Sequence, residues 1–201
     1  MNLKTIKKYS CLKNKKYKFE NYFLVPIREE DIQNIRKWRN KQIDILRQKE
    51  KILEKEQINY YEFVIKKSFN EKEPNCILFS FMLNDKCIGY GGLTNIDWSS
   101  KRAEISFIID NNRNSNSEVY YQDFLSFLNI ITQLAFHELK FNRLFTETYD
   151  IRPLHLKILE KIGFELEGKL KQHVNIKGKY VDSLIHGYLR ERYIEKQKIF
   201  Y

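Results

Sequence analysis

Glycine and proline, the residues that punctuate loops and repeats, are scarce: the 201 residues hold seven and three. That scarcity argues against a loop-rich architecture, and no internal period of the length that marks solenoids or propellers is found. Long apolar runs are missing too. None approaches the roughly 18–20 residues that a membrane-spanning helix needs, and the basic N-terminus lacks the apolar core of a secretory signal. Cysteine is limited to Cys11, Cys76 and Cys87, an odd number without metal-ligand spacing, so no metal is expected. Cys76 and Cys87 flank strand-like runs and read as buried free thiols, suited to a reducing cytoplasm. A catalytic cysteine is the alternative.

Acidic residues are outnumbered, 26 against 36 Lys and Arg, a net charge of +10. An excess of that size suits a nucleic-acid partner, but most of it is local. Residues 1–20 carry seven lysines (Lys4, Lys7, Lys8, Lys13, Lys15, Lys16 and Lys18) and one glutamate, so the body is only mildly basic and nucleic acid is not the expected partner. Residues 1–20 read as a solvated tail, with a phosphate-rich surface as the alternative. What is plentiful is core material: 42% hydrophobic and 14% aromatic residues, enough for one folded domain over 21–192 with a short tail at 193–201.

Along the chain, Tyr22–Ile27 reads as a first strand. A helix follows, opened by the acidic Glu29-Glu30-Asp31 at its positive end and closed by Trp38-Arg39-Asn40. A second helix is predicted at about Gln57–Phe69, with Tyr60, Phe63 and Val64 at helical spacing. Three strands come next, Ile77–Leu83, Cys87–Thr94 and Arg102–Asp110, as an antiparallel meander. The polar stretch from Asn111 to Ser117 is a loop. A long helix follows from about Glu118 to Leu139, then a strand over Leu144–Thr148. Pro153–Ile162 is a helix with proline in its first turn and Gly163 as its stop. Phe164–Ile176 and Lys179–Arg190 close the fold as a hairpin around Lys177-Gly178. This order specifies an α/β domain with a mixed sheet.

The element order and several motifs resemble the GNAT superfamily of acyl-CoA-dependent N-acyltransferases over roughly residues 22–190. The strongest match is Leu159-Glu-Lys-Ile-Gly-Phe-Glu-Leu-Glu-Gly168 followed by Gly178-Lys-Tyr-Val-Asp182. It is similar to the branch holding ribosomal-protein and amino-sugar acetyltransferases. Trp38-Arg39-Asn40 and Ala103-Glu104-Ile105 add to it. The resemblance implies a mainly antiparallel sheet of seven strands, a splayed central strand pair, and helices on both faces. It also implies acetyl-CoA as acyl donor. Its pantetheine arm would lie along Ile105–Asp110, including Phe107, Ile108 and Ile109, opposite Leu144–Thr148. The pyrophosphate would sit at the start of the next helix, where the dipole favours an anion.

Two departures stand out. The glycines of the usual phosphate loop are absent, since none lies between Gly92 and Gly163; their positions fall near Val119–Phe124. Either the loop is rebuilt, with Arg113, Asn114, Ser115, Asn116 and Ser117 as donors, or the usual coenzyme A site is gone. Many relatives also carry Asn-x-x-Ser-x-x-x-Tyr, whose tyrosine protonates the departing thiolate. The matching positions here are Arg152, His155 and Leu159, so Arg152 and His155 are carried over as cofactor-binding and the tyrosine is missing.

Acyl transfer to an amine requires removal of a proton and stabilisation of an oxyanion. Glu104 is the first candidate base, against a structural role paired with Arg102 or a backbone amide. His173 and His186 lie on the final hairpin. With Ile176 opposite Lys179 and no bulge, His173 faces Asp182, which would orient it, and His186 faces Lys169. Structural histidines are the alternative for both. For the acceptor, Trp38, Arg39, Asn40, Arg47, Gln48, Tyr60, Trp98 and Asp182 offer cations, amides and aromatic faces suited to a sugar, nucleobase and phosphate. The expected reaction is acetyl transfer from acetyl-CoA to a small amine, foremost the amino group of a nucleotide-linked amino-deoxy sugar for surface glycans. Protein N-terminal or other small amines are alternatives within the same chemistry, and a non-catalytic binding module is the rival from another class. A cytoplasmic location and a possible homo-oligomer complete the expectation.

Overall fold

Among the described residues, eight strands form one sheet in the order β1-β2-β3-β4-β5-β6-β8-β7. They are β1 (Tyr17–Phe19), β2 (Tyr22–Pro26), β3 (Ile77–Leu83), β4 (Lys86–Asp97), β5 (Arg102–Ile109), β6 (Arg143–Tyr149), β7 (Glu165–Ile176) and β8 (Lys179–Leu189). A computed structural model describes residues 7–199 of the chain. Every neighbouring pair of strands is antiparallel except β5 and β6. The seven strands read from sequence are all present. The eighth, β1, comes from the stretch expected to be a tail.

That stretch differs from a solvated tail because it carries apolar side chains as well as lysines. Tyr9 and Leu12 are buried. The Tyr9 hydroxyl donates to the Leu78 carbonyl and accepts from the Leu78 amide, both at 2.9 Å. Tyr17 Oη donates to Glu138 at 2.8 Å, and Lys16 lies 3.6 Å over the Phe23 ring. Lys4 lies outside the described residues. At the other end, residues expected as a tail continue the helix Arg190–Ile199, and Tyr193 is buried against Phe136 at 5.0 Å between ring centroids. Phe200 and Tyr201 lie outside the described residues.

The helices are α1 (Ile32–Lys41), α2 (Glu54–Tyr60), α3 (Lys66–Ser68), α4 (Asn111–Asn114), α5 (Ser117–Gln133), α6 (Pro153–Ile162) and α7 (Arg190–Ile199). α2 starts three residues before its expected position because Glu56 reaches back to accept the Leu53 amide at 2.7 Å, satisfying one of the donors a helix start leaves open. A π turn over Tyr61–Ile65 joins it to α3. α5 buries Phe124, Phe127, Leu128 and Ile131, which pack with Phe107 and Phe81 of the sheet. α6 ends as read: Gly163 sits at φ +124°, and an added Cβ would meet the Tyr188 ring. β3 is buried almost throughout and is apolar but for Ser80, whose hydroxyl donates to Asp31, whereas β7, an edge strand, is exposed and lysine-bearing, as an unpaired edge tolerates.

The final hairpin corrects one expectation. Ile176 does pair with Lys179 and Val174 with Val181, but bulges follow, and Leu170 pairs with Ser183 and Leu166 with His186. His186 therefore faces Leu166, not Lys169. His173 lies in the bulge and does not face Asp182, which instead accepts the Gln172 amide and pairs with Lys169. The left-handed backbone of Gln172, φ +50°, accompanies this extra length, which residue counting from the turn cannot register.

Candidate active site

β5 and β6 begin as a parallel pair at Arg102–Arg143 and Ala103–Leu144, and the pairing ends at Glu104–Phe145. β5 stays paired to β4 up to Ile109, and β6 to β8 up to Tyr149, so the two strands part beyond Glu104. A narrow cleft of about 90 Å³ opens in the wedge, lined by Glu104, Ile105, Phe107, Thr146, Arg152 and His155 among others. Leu46, Arg47 and Tyr149 line it as well, and they also line a wider cavity of about 610 Å³ between the 43–49 segment and the 174–177 hairpin tip. The two cavities thus adjoin, with the narrow one at the carboxyl ends of the parallel strands, where α/β sheets place their ligands.

Two carboxylates meet at the junction. Glu104 is buried, and its oxygens are held by the Arg47 guanidinium and by Asn95 Nδ2, the latter at 2.6 Å. Arg47 also reaches Glu147 at 3.4 Å. Glu147 accepts from Ser183 Oγ at 2.7 Å, and His173 Nε2 stands 3.7 Å from it. Glu104 thus pairs with neither Arg102, which binds Asp97, nor a backbone amide. Sequence reasoning passes over Glu147; the lone carboxylate of β6 is the signal that marks it. The wider cavity differs in charge. Arg47, Lys49 and Lys177 line it against the single carboxylate of Asp44, which Lys177 holds at 2.5 Å.

The remaining residues chosen for the acceptor are spread over several places. Trp38 donates to Asp110 at 3.1 Å. Arg39 binds Gln48 and Tyr90, and Asn40 binds both backbone polar groups of Ile52. Arg39 and Asn40 thus hold the 48–52 segment, Trp38 ties α1 to the end of β5, and none of the three lines either cavity. Gln48 lines the wider cavity. Trp98 donates to the Pro74 carbonyl at 2.9 Å and packs on Phe141, at the β4–β5 turn. Tyr60, half-exposed on α2, and Asp182 also line neither cavity. His186 is buried, its Nδ1 has no partner among the described residues, and burial depresses its pKa. It lies away from the carboxylates, opposite Thr146 and Leu166. Burial pushes the thiols of Cys11 and Cys87 up to about 11 and about 12, leaving neither as a thiolate at neutral pH.

On the donor side, the Ile105–Ile109 stretch is free of pairing with β6, as an extended pantetheine arm requires, and Phe107 lines the opening. Ile108 and Ile109 are buried, and the Ile109 carbonyl accepts from Gln42 at 2.7 Å. The stretch read as a polar loop contains α4 and then the start of α5. Its expected phosphate donors are engaged internally. Arg113 forms a two-pronged pair with buried Asp123, at 2.6 and 2.8 Å. Ser115 donates to Asn112, and Asn116 caps the amides of Glu118 and Val119 at 3.1 Å. Ser117 opens α5. The 17-residue helix still presents its N-terminus there, and a phosphate oxygen would take the place that Asn116 Oδ1 now fills. Arg152 and His155 stand at the wedge, and Arg152 donates to Tyr120, which lies 2.6 Å from His155 Nδ1.

The sequence matches the acetyltransferase (GNAT) domain family over residues 24–185. Among solved structures, spermidine N-acetyltransferase from Vibrio cholerae in complex with CoA and spermine superposes with a TM-score of 0.74 at 18% identity. The match covers 88% of this chain and 99% of that one. RimJ from Mycobacterium smegmatis in complex with CoA-disulfide gives 0.70 at 14%, covering 85% and 83%. The chain has no match among curated proteins. At these identities the structures speak for the fold, and the family match, spanning most of the chain, carries the assignment. The chain belongs to the acetyltransferase (GNAT) domain family and is an acyl-CoA-dependent N-acetyltransferase with acetyl-CoA as its donor.

Proposed function

We propose that the acceptor is an amine that also carries an anionic group, foremost the amino group of a nucleotide-linked amino-deoxy sugar. The observation that supports this is the division of charge between the two cavities: carboxylates at the inner junction, and Arg47, Lys49 and Lys177 against Asp44 outside. An ammonium is drawn inward and a phosphate or carboxylate is held at the rim. A polycation would meet the basic rim first.

In this reading Glu104 is the base. Its carboxylate takes the proton that the acceptor nitrogen gives up, directly or through one water. Asn95 holds one oxygen of Glu104, so the ammonium reaches it by replacing Arg47 on the other. The Arg47 side chain is 55% exposed and turns to the anionic group of the acceptor. Glu147, steadied by Ser183, shares the ammonium before the proton leaves. Acetyl-CoA supplies the acetyl group as a thioester, and its sulfur is a good leaving group because a thiol has a pKa of about 8.5. A cytoplasmic location belongs to the same reading, since the three cysteines are free thiols of the kind a reducing compartment preserves.

A thiol-release assay with acetyl-CoA decides the acceptor. Nucleotide-linked amino sugars, peptides with acidic N-terminal sequences, and spermidine are compared at equal ionic strength. The nucleotide sugar is expected to exceed spermidine by roughly tenfold or more in kcat/KM, with the margin shrinking as salt rises. Arg47→Ala should raise KM for the anionic amine and leave spermidine unharmed. Spermidine as the best substrate would overturn the reading, and a preference for the acidic peptide would move it to protein N-termini.

A further inference from the structure

α6 brings Arg152 and His155 to the wedge, and α5 brings Tyr120 and Phe124 against them. The contacts among these side chains fix where protons sit. Arg152 Nη2 donates to Tyr120 Oη at 2.8 Å, and a guanidinium can only donate. The phenol oxygen can accept twice but has one proton to give; Tyr120 is buried, and among the described residues the acceptor within reach of that proton is His155 Nδ1, 2.6 Å away. Nδ1 is therefore the acceptor, and the single proton of the neutral ring belongs on Nε2. Burial first, and then Arg152 and His186, hold His155 well below its usual pKa, so the ring is neutral at pH 7. Phe124 stacks on the imidazole at 4.1 Å between centroids and 13° between planes, which sets the ring plane.

The consequence is a donor without a partner. His155 is 6% exposed and lines the cleft. Its Nδ1 side is turned to Tyr120, and among the described residues nothing pairs with Nε2. An N–H without a protein partner is open to an acceptor on a ligand, and this one belongs to a ring on the wall of the cleft between β5 and β6. His155 also lies one turn before Leu159 on the same face of α6, the position where many relatives carry the missing tyrosine.

We infer that His155 Nε2–H donates a hydrogen bond to an acceptor atom of the acyl-donor arm in the wedge, with Tyr120 and Arg152 as positioning residues that hold the donating tautomer. The bond is donated without proton transfer, so the imidazole stays neutral throughout. A hydrogen bond to an amide carbonyl of the arm acts on binding, whereas one to the sulfur acts on the rate as negative charge gathers there. The inference rests on the acyl donor occupying the wedge.

Two-bond proton–nitrogen NMR of 15N-histidine-labelled protein, free of ligand, tests the relay by itself. Nε2 of His155 should be protonated and Nδ1 bare from pH 6 to 8, and Tyr120→Phe should let both tautomers appear. Adding coenzyme A should then shift the His155 Nε2–H resonance. By calorimetry and steady-state kinetics, His155→Leu should lose roughly tenfold in coenzyme A affinity or in kcat. His155→Gln, whose amide can donate from nearly the same place, should recover most of it. A loss in affinity assigns the amide carbonyl, and a loss confined to kcat assigns the sulfur. A bare Nε2 in the free protein would overturn the inference, as would a His155 signal and affinity indifferent to coenzyme A. Wild-type protein that takes no coenzyme A removes the acyl-donor reading as well, a different result from one that binds it with His155 silent.

Discussion

Glu104 is buried with both oxygens engaged, by Arg47 on one side and Asn95 on the other, and the two partners differ in what they can do. Asn95 sits in the β4–β5 hairpin at φ +47° and is fixed by the chain. Arg47 reaches in from the 43–49 segment with half its side chain in water and can leave. In the proposed role, Glu104 is uncovered only when the acceptor displaces Arg47. Glu104→Gln keeps the shape and the Asn95 contact but removes the proton acceptor. It should lower kcat/KM by roughly 10²–10⁴ while calorimetry finds coenzyme A binding unchanged. A variant that keeps its rate would return Glu104 to a structural role and shift the search for the base to Glu147.

At the scale of elements, the segment before β2 is part of the structure and not an appendage. Tyr9 bonds to both polar groups of Leu78 near the start of β3 and packs on Phe69 and Phe79. Tyr9→Phe removes both hydrogen bonds; the Leu78 carbonyl keeps the Ile27 amide, but the Leu78 amide loses its partner, costing about 1–3 kcal/mol. Tyr9→Ala adds a cavity, for a total of about 3–5 kcal/mol. Urea unfolding midpoints should fall in that order. Removing residues 1–20 should therefore cost stability even though no described residue of that segment lines either cavity. An unchanged midpoint on deletion would mean the segment rides on the domain without supporting it.

At the scale of the molecule, two neutral buried histidines make stability depend on pH. The folded pKa values of His155 and His186 lie below 6.5, mainly through burial, while the unfolded chain protonates near 6.5. Below that value the unfolded state binds more protons, so stability falls as pH drops from about 6.5 toward the folded values. It is fully present above. Each histidine contributes a slope of roughly 1.4 kcal/mol per pH unit in that window. Thermal unfolding between pH 7.5 and 5.5 should show a decline that His155→Gln makes shallower, and a flat profile would contradict the neutral, buried state of both rings.

Much of the fold is legible in the sequence because each signal is local. Pro153 and Gly163 bracket α6, Lys177-Gly178 turns the last hairpin, and the apolar run of β3 needs no partner to be recognised. The GNAT resemblance rests on short motifs of the same kind. Glu104 was reachable for that reason, as were the wedge positions of Phe107, Arg152 and His155. Other features are decided only in three dimensions. Tyr9 sits among lysines, and its burial depends on a strand some seventy residues away. The bulge at Gln172 changes which residues face His173 and His186 by lengthening one strand of a pair, an effect invisible to either strand alone. Trp38, Arg39 and Asn40 look like acceptor ligands by type, yet Trp38 is bound to Asp110, and Arg39 and Asn40 hold the 48–52 segment. Glu147 and Arg47, a hundred residues apart, become a site only where β6 and the 43–49 segment meet. Sequence by itself determines the elements and the family, because those follow from neighbours along the chain. Which polar groups are already satisfied, and so which remain for chemistry, is decided by contacts across it.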